Sequence, residues 1–177
     1  MIFFVYTDGS CKGNPGKGGW GWVEYCNSRD FIIFTDYGGE SSTTNNRMEL
    51  TAIIEYLKSL MSNSTIVDVY KNSTIIIHSD SLYVLKSLVN GGLEGEIFLK
   101  GSNINYSGWL KGWKNKKFDG VKNKDLWMVI DKLLSKIGYT NTEKKLNIKL
   151  VFKYVKGHSI SEGNNFADRL ANKGASM

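Results

Sequence analysis

The sequence predicts an α/β fold, a five-stranded mixed sheet with helices on both faces. Three observations carry that expectation. The N-terminal part alternates short apolar strands with turn residues. Apolar residues then recur at helical spacing from Leu50 onward. Two later β-branched runs, Thr74–His78 and Ile148–Val155, are each separated from their neighbours by helical segments.

In order, Phe3–Thr7 reads as a buried strand and Gly9–Gly19 as a glycine-rich loop. Trp20–Tyr25 and Phe31–Tyr37 follow as strands, with Asn27–Asp30 as the turn, making a three-stranded antiparallel meander. Leu50, Ile53, Ile54, Leu57 and Leu60 then mark one face of a helix. Asn46 and Glu49 have the spacing of a cap and its N3 partner. Thr74–His78 is a central strand and Ser81–Leu88 a short helix. Asn90–Phe118 is the least regular stretch. Lys124–Ile137 is helical, with Leu126, Trp127, Ile130, Leu133 and Leu134 on its apolar side. Ile148–Val155 is the last strand and Asn164–Lys173 the last helix. The crossovers between parallel strands should be right-handed.

The 177 residues, 41% of them hydrophobic, suffice for one domain with a real core. No linker or repeat divides them. The opening MIFFVYTDGSCKG lacks a basic stretch before its apolar run and reads as a first strand, not a signal peptide. No run of eighteen apolar residues occurs, so no helical membrane span is expected. Cys11 and Cys26 are too few for a disulfide scaffold, which suits a reducing, cytoplasmic setting. The net charge is +6. Its distribution is uneven: Lys100, Lys111, Lys114, Lys116, Lys117, Lys122 and Lys124 stand against Asp119 alone, interleaved with Trp109 and Trp113. Such a patch suits a polyanionic partner.

Four acids stand at strand ends and helix starts. Asp8 follows the first strand, and a plain Asp-Gly turn is the simplest role for it. However, the next strand begins too far along for a tight hairpin. Asp80 closes the central strand and can serve as helix cap or as ligand. Glu49 can complete a capping box, and Asp168 in the last helix can answer the helix dipole. If the Asp8 and Asp80 strands run parallel and adjacent, both carboxylates emerge at one sheet edge, where α/β proteins place their sites. Clustered acids would repel and raise one another's pKa unless a cation joined them. Hard oxygen donors without a Cys or His cluster suit Mg²⁺ or Mn²⁺. Two such ions about 4 Å apart can activate water and neutralise the leaving oxygen of a phosphodiester. His158 follows the last strand after Gly157, just ahead of the Asp168 helix. It is either a structural histidine or a mobile imidazole beside such a site. His78, inside its strand, reads as a packed or surface side chain.

Together these segments resemble the type 1 ribonuclease H family, the bacterial-like ribonuclease HI. The runs that carry the resemblance are Tyr6-Thr7-Asp8-Gly9-Ser10, Gly13-Asn14-Pro15-Gly16, Thr43 to Leu50, Ser79-Asp80-Ser81, Val121 to Trp127 and Val155-Lys156-Gly157-His158, in family order along nearly the whole chain. The resemblance implies a ribonuclease H-like fold of strand order 3-2-1-4-5, with the Asp8 and Asp80 strands side by side. It implies that Asp8, Glu49, Asp80 and Asp168 hold two Mg²⁺ ions once substrate is bound, with Mn²⁺ as a substitute. His158 would be a flexible catalytic histidine. Gly9, Ser10, Cys11 and Gly13 would approach the RNA strand of an RNA–DNA hybrid, and Asn14, Thr44, Asn45 and Asn46 would hold it. The implied reaction is endonucleolytic hydrolysis of the RNA strand, leaving 5′-phosphate and 3′-hydroxyl ends. Recognition of the 2′-hydroxyl in the minor groove implies low sequence specificity.

Residues 91–107 look like an insertion ahead of a basic protrusion at about 108–120. There Trp109, Lys111, Trp113, Lys114, Lys116 and Lys117 would grip the DNA strand, although helix packing is the simpler role for at least one tryptophan. Two other departures are Leu82, where many relatives have a glutamine that touches the hybrid, and Asn165, where an acid is often found. A single domain, 1–177, is expected to act as a monomer with no obligate protein partner and no further hybrid-binding domain ahead of it. A triphosphatase loop is excluded, because Gly13-Asn14-Pro15-Gly16-Lys17-Gly18 lacks the G-x-x-x-x-G-K-[ST] pattern. A non-catalytic hybrid- or duplex-binding module, or another nuclease on this scaffold, are the alternatives.

Overall fold

The computed structural model describes residues 1–27, 32–62, 68–157 and 161–177. Its strands are β1 (Ile2–Lys12), β2 (Gly16–Cys26), β3 (Ile32–Thr43), β4 (Thr74–Ser79), β5 (Glu94–Ile97) and β6 (Lys149–Tyr154). Its helices are α1 (Asn45–Met61), α2 (Leu82–Leu88), α3 (Trp109–Asn115), α4 (Lys124–Lys144) and α5 (Glu162–Ala175). The strands form one sheet of order β3-β2-β1-β4-β6-β5. β1, β4 and β6 are parallel to their neighbours at the centre, while β2, β3 and β5 are antiparallel.

The expected five strands are present in the expected order, and the correction is one more strand at the edge. β5 falls inside the segment read as an insertion and adds to β6 through four residue pairs, from Glu94 opposite Lys153 to Ile97 opposite Leu150. Its short, Glu- and Gly-containing sequence offers no alternation from which to read a strand. The meander is also longer than the apolar runs suggest. β1 and β2 stay paired out to Lys12 and Lys17, so most of the supposed glycine-rich loop is strand.

Those strand glycines have a packing reason. α5 lies on the face of β1, β2 and β3 opposite α1. It presents Ala167, Ala171, Gly174 and Ala175, all buried. A Cβ at Gly19 or Gly39 would collide with the α5 backbone. Gly-to-Ala contact lets helix and sheet approach at backbone distance and leaves this face with only a thin apolar layer of Tyr6, Val23, Tyr25 and Ala167. The other face carries the main core. Phe3, Val5 and Trp22 of the sheet meet Leu50, Ile53 and Leu57 of α1, Leu85 and Leu88 of α2, and Trp127, Ile130 and Leu134 of α4. The β-strand alternation of β1 is what splits Phe3 and Val5 from Tyr6.

One carboxylate lies in that main core. Glu24 of β2 is fully buried and accepts from the Tyr56 hydroxyl of α1 and the Tyr70 hydroxyl, both at 2.6 Å. Burial raises its pKa, and the two hydroxyl donors only partly offset that effect. A glutamate in the unfolded chain ionises in its ordinary range. Stability contributed by this site therefore falls as pH rises from that range toward the raised folded value. Tyr70→Phe should cost roughly 1–3 kcal/mol, because it strips a donor from a buried charged acceptor. Glu24→Gln should gain on the wild type as pH rises above the ordinary glutamate range. Urea unfolding at several pH values measures both; a Tyr70→Phe variant of unchanged stability would contradict this reading.

Candidate active site

The central parallel strands set the site. Tyr6 of β1 lies beside His78 of β4, so two residues further on Asp8 stands next to Asp80. Asp8 is therefore inside β1, opposite Gly21, rather than in a turn past the strand. The cap role open to Asp80 is taken by its neighbour: the Ser81 hydroxyl accepts from the Val84 amide at 3.2 Å and caps α2. The Ser79 hydroxyl accepts from the Ser81 amide at 3.1 Å and fixes the turn that carries Asp80. His78 is packed, as one of its two readings had it. Its Nδ1 lies 3.0 Å from the Val5 carbonyl, and its ring stacks on Tyr6 at 4.3 Å.

Glu49 arrives from α1. The cap of α1 is Thr44, whose hydroxyl accepts from the Arg47 amide at 3.2 Å, and not Asn46. With the cap two residues earlier, Glu49 lies in the second turn, and the capping-box role no longer applies to it. What brings α1 so close is Gly9: a side chain there would run into the backbone of Met48 and Glu49. Asp168 also lies deeper in its helix than expected. α5 starts at Glu162, capped by Ser161, so Asp168 is in the second turn, past the reach of the helix dipole.

The structure thus brings carboxylate oxygens of Asp8, Glu49 and Asp80 within 4.8 Å of one another. Asp168 lines the same cleft of about 360 Å³, together with Gly9, Ser10, Cys11, Asn45, Asn46, Ser81, Asn164 and Asn165. Burial and then the charge of Asp80 push the Asp8 carboxyl up to about 8. Burial, then Asp8 and Asp80, hold Glu49 well above the ordinary range. Asp8 Oδ1 accepts from the Gly9 amide at 2.9 Å, but Glu49 Oε2 is buried with no hydrogen-bond partner. A buried carboxylate oxygen left unpaired is costly. An all-oxygen donor set with an orphaned member and mutually repelling neighbours fits a hard divalent cation.

The remaining sequence candidates divide. Asn14 Oδ1 accepts from the Asn45 amide at 3.1 Å and joins the first hairpin to the start of α1, next to Thr44. Gly13 is exposed at the tip of that hairpin. Trp109, Lys111, Trp113, Lys114, Lys116 and Lys117 lie on and after α3, outside the cleft. Trp113 packs on Trp127 with ring centroids 5.5 Å apart, whereas Trp109 is half exposed. Lys114 is turned inward to Asp131 at 3.1 Å, which takes it out of the exposed basic set; Lys111, Lys116 and Lys117 remain exposed. Leu82 is exposed at the rim, beside Ser81. His158 lies outside the described residues. Gly157 comes close to Asp80, since a Cβ there would be 3.0 Å from Oδ2. Not anticipated as site residues were Ser81, Asn164 and Asn165 in the lining and Asn172 beside Asp168. The signal was available for two of them, because Asn164 and Asn172 stand four residues either side of Asp168 on one helix.

A family model described as RNase H matches residues 2–176. The chain belongs to the RNase H family. It is 41% identical to Ribonuclease H of Neisseria gonorrhoeae over 98% of this chain and 95% of that protein, and equally to Ribonuclease HI of Neisseria meningitidis serogroup B. An RNase H1 structure from Halobacterium salinarum aligns with TM-score 0.59 at 21% identity, covering 99% of this chain and 98% of that one. LC11-RNase H1 in complex with RNA/DNA hybrid aligns with TM-score 0.58 at 21% identity, covering 98% and 96%. These structures share the fold. The chain is therefore an RNase H-family nuclease whose acidic residues cluster where a metal ion can bind.

Without a cation, the pH dependence has a definite sign. Unfolded Asp8 ionises near 3.8, whereas the folded chain keeps its proton up to about 8. The folded state is penalised progressively as pH climbs through that window. Asp8→Asn should therefore raise the Tm of chelator-treated protein at pH above about 8 by several degrees, at roughly 2–4 °C per kcal/mol, and change it little near pH 4. Thermal unfolding in chelator across pH tests this; a Tm gap that does not widen with pH would contradict it.

Proposed function

We propose that this chain cuts the RNA strand of RNA–DNA hybrids by two-metal-ion hydrolysis, leaving 5′-phosphate and 3′-hydroxyl ends. The observation that carries the reading is the meeting of Asp8 and Asp80, just past the last parallel pair of β1 and β4, with Glu49, which comes from the second turn of α1 and has an unpaired oxygen. Asp8, Glu49, Asp80 and Asp168 are the residues that would hold the ions. Mg²⁺, or Mn²⁺ in its place, supplies water activation and charge neutralisation at the scissile phosphate when bound. The carboxylates then lose the protons they would otherwise keep, and their mutual repulsion is offset.

The rest of the cleft orients the substrate. Gly9, Ser10 and Cys11 on β1, continuing to Gly13, form a flat strand edge suited to close approach by the RNA strand. The exposed Asn45 and Asn46, with Asn14 and Thr44, flank it at the α1 N-terminus. RNA is told from DNA through the 2′-hydroxyl. His158, assigned by its motif, moves protons and helps product leave. The whole chain, 1–177, serves as one monomeric catalytic domain. Residues 91–107 are an insertion ending in a protrusion at about 108–120, where Trp109, Lys111, Lys116 and Lys117 meet the DNA strand. Trp113 and Lys114 hold the protrusion to α4. The LC11 complex with an RNA/DNA hybrid supports the substrate class, and likeness to bacterial Ribonuclease H proteins supports a cytoplasmic setting.

An end-labelled RNA–DNA hybrid, with RNA–RNA and DNA–DNA duplexes as controls, tests the proposal in Mg²⁺, Mn²⁺ and chelator. Only the hybrid's RNA strand should be cut, and only with metal. Asp80→Asn should lower the rate more than about a hundredfold, beyond the 10–100-fold typical of groups that merely support a ligand. Hybrid binding without cleavage would move the function to a binding module, and cleavage of DNA to a different nuclease.

A further inference from the structure

Asp168 is the outlying member of the four acids, reaching the group through a side-chain hydrogen bond with Asp8. It comes from α5, on the opposite face of the sheet from α1, and lies outside the group whose oxygens fall within 4.8 Å of one another. Its carboxylate is held from its own helix. One turn on, Asn172 Nδ2 donates to Asp168 Oδ2 at 3.3 Å. The same amide accepts through Oδ1 from the Ser10 hydroxyl of β1 at 2.7 Å. An asparagine amide can turn either end toward a carboxylate, and only the nitrogen end is attractive. The Ser10 hydroxyl engages the oxygen end and so keeps the nitrogen on Asp168. Asn172 is itself anchored. Its backbone carbonyl accepts from Ser176 Oγ at 3.1 Å, and that hydroxyl accepts from Lys12 Nζ at 2.8 Å. The far end of β1 is thereby tied to α5 at two points, Ser10 and Lys12.

We infer that Asn172 is a positioning residue for metal binding: it aims the Asp168 carboxylate into the cleft and ties that aim to β1, the strand that carries Asp8. The inference builds on the metal-dependent reading of the cleft. Partners that orient a ligand in this way typically contribute 10–100-fold in metal affinity. Asn172 is exposed, so replacing it leaves the core untouched.

The test compares wild type, Asn172→Leu, which keeps the volume and removes both hydrogen bonds, and Asn172→Gln, which keeps a donor and an acceptor. The first readout is the Mg²⁺ concentration giving half of the Mg²⁺-induced rise in Tm of the substrate-free protein. The second is kcat and KM for hybrid cleavage at saturating Mg²⁺. Asn172→Leu should raise the Mg²⁺ midpoint about tenfold and lower kcat, with KM within about twofold, and Asn172→Gln should recover most of the loss. A lower Tm in chelator with an unchanged Mg²⁺ midpoint would make the residue merely structural and overturn the inference. So would a raised KM with an unchanged midpoint. A shifted midpoint in a protein that cuts no hybrid would uphold the positioning role while sinking the hydrolytic reading.

Discussion

Two carboxylates that ought to avoid each other, Asp8 and Glu49, are buried together, and much of the architecture serves to keep them there. The contact that makes this happen is between backbones. β1 has no side chain at Gly9, so the start of α1 rests directly on the strand, and Glu49 is delivered beside Asp8 with Asp80 close by. In a medium that solvates charge poorly, such a group is unfavourable as three anions. The folded chain alone resolves this by keeping protons on Asp8 and Glu49. A divalent cation would resolve it by taking their place, and folding and cation binding would then be linked, the site being costly as protein and stable as a complex.

The scaffold makes that cost bearable. The large apolar core lies on the α1 face, where Trp22, Tyr56, Trp127 and Phe152 are buried. The α5 face contributes little apolar volume but great closeness, through glycine on the sheet and alanine on the helix. Closeness is what the site needs from α5, because Asp168 must reach the cleft from that side. The arrangement divides the labour between a face built for stability and a face built for distance. The Arg47 guanidinium, paired with both oxygens of Asp125 at 2.7 and 3.0 Å, joins the start of α1 to the start of α4 and so links the cleft to the helix on which Trp113 of α3 packs. The pair is exposed, so its contribution is to geometry more than to stability.

Much of this was legible in the residues. Val5 to Ser10 and Ile75 to Ser81 each read as a strand ending in an acid, and parallel pairing was the one assumption needed to join them. The apolar spacing of Leu50 to Leu60 placed α1. What the pattern did not disclose was set by tertiary contact. Glycines at 9, 18 and 19 read as loop because their usual meaning is freedom of the backbone; here they are strand residues packed closely by neighbouring elements. Helix starts were misplaced by two residues at Thr44 and at Ser161, since several cap-forming residues stand in a row and only geometry selects among them. β5 carries no periodic signal and exists because β6 offers it an edge. The roles left to Glu49, Asp80 and Asp168 as caps or dipole partners were removed by three hydroxyls, those of Thr44, Ser81 and Ser161, which do that work instead.

The proton count on cation binding tests the central claim most directly. Calorimetric titration of the substrate-free protein with Mn²⁺ near pH 6.5, in two buffers of different ionisation enthalpy, reports how many protons leave as the ion enters. If the buried acids hold protons until a cation replaces them, binding should release at least about one proton, and the release should fade above pH 8 to 9. Binding with no proton release at pH 6.5 would mean that Asp8 and Glu49 are already ionised together without a cation, and would contradict the account.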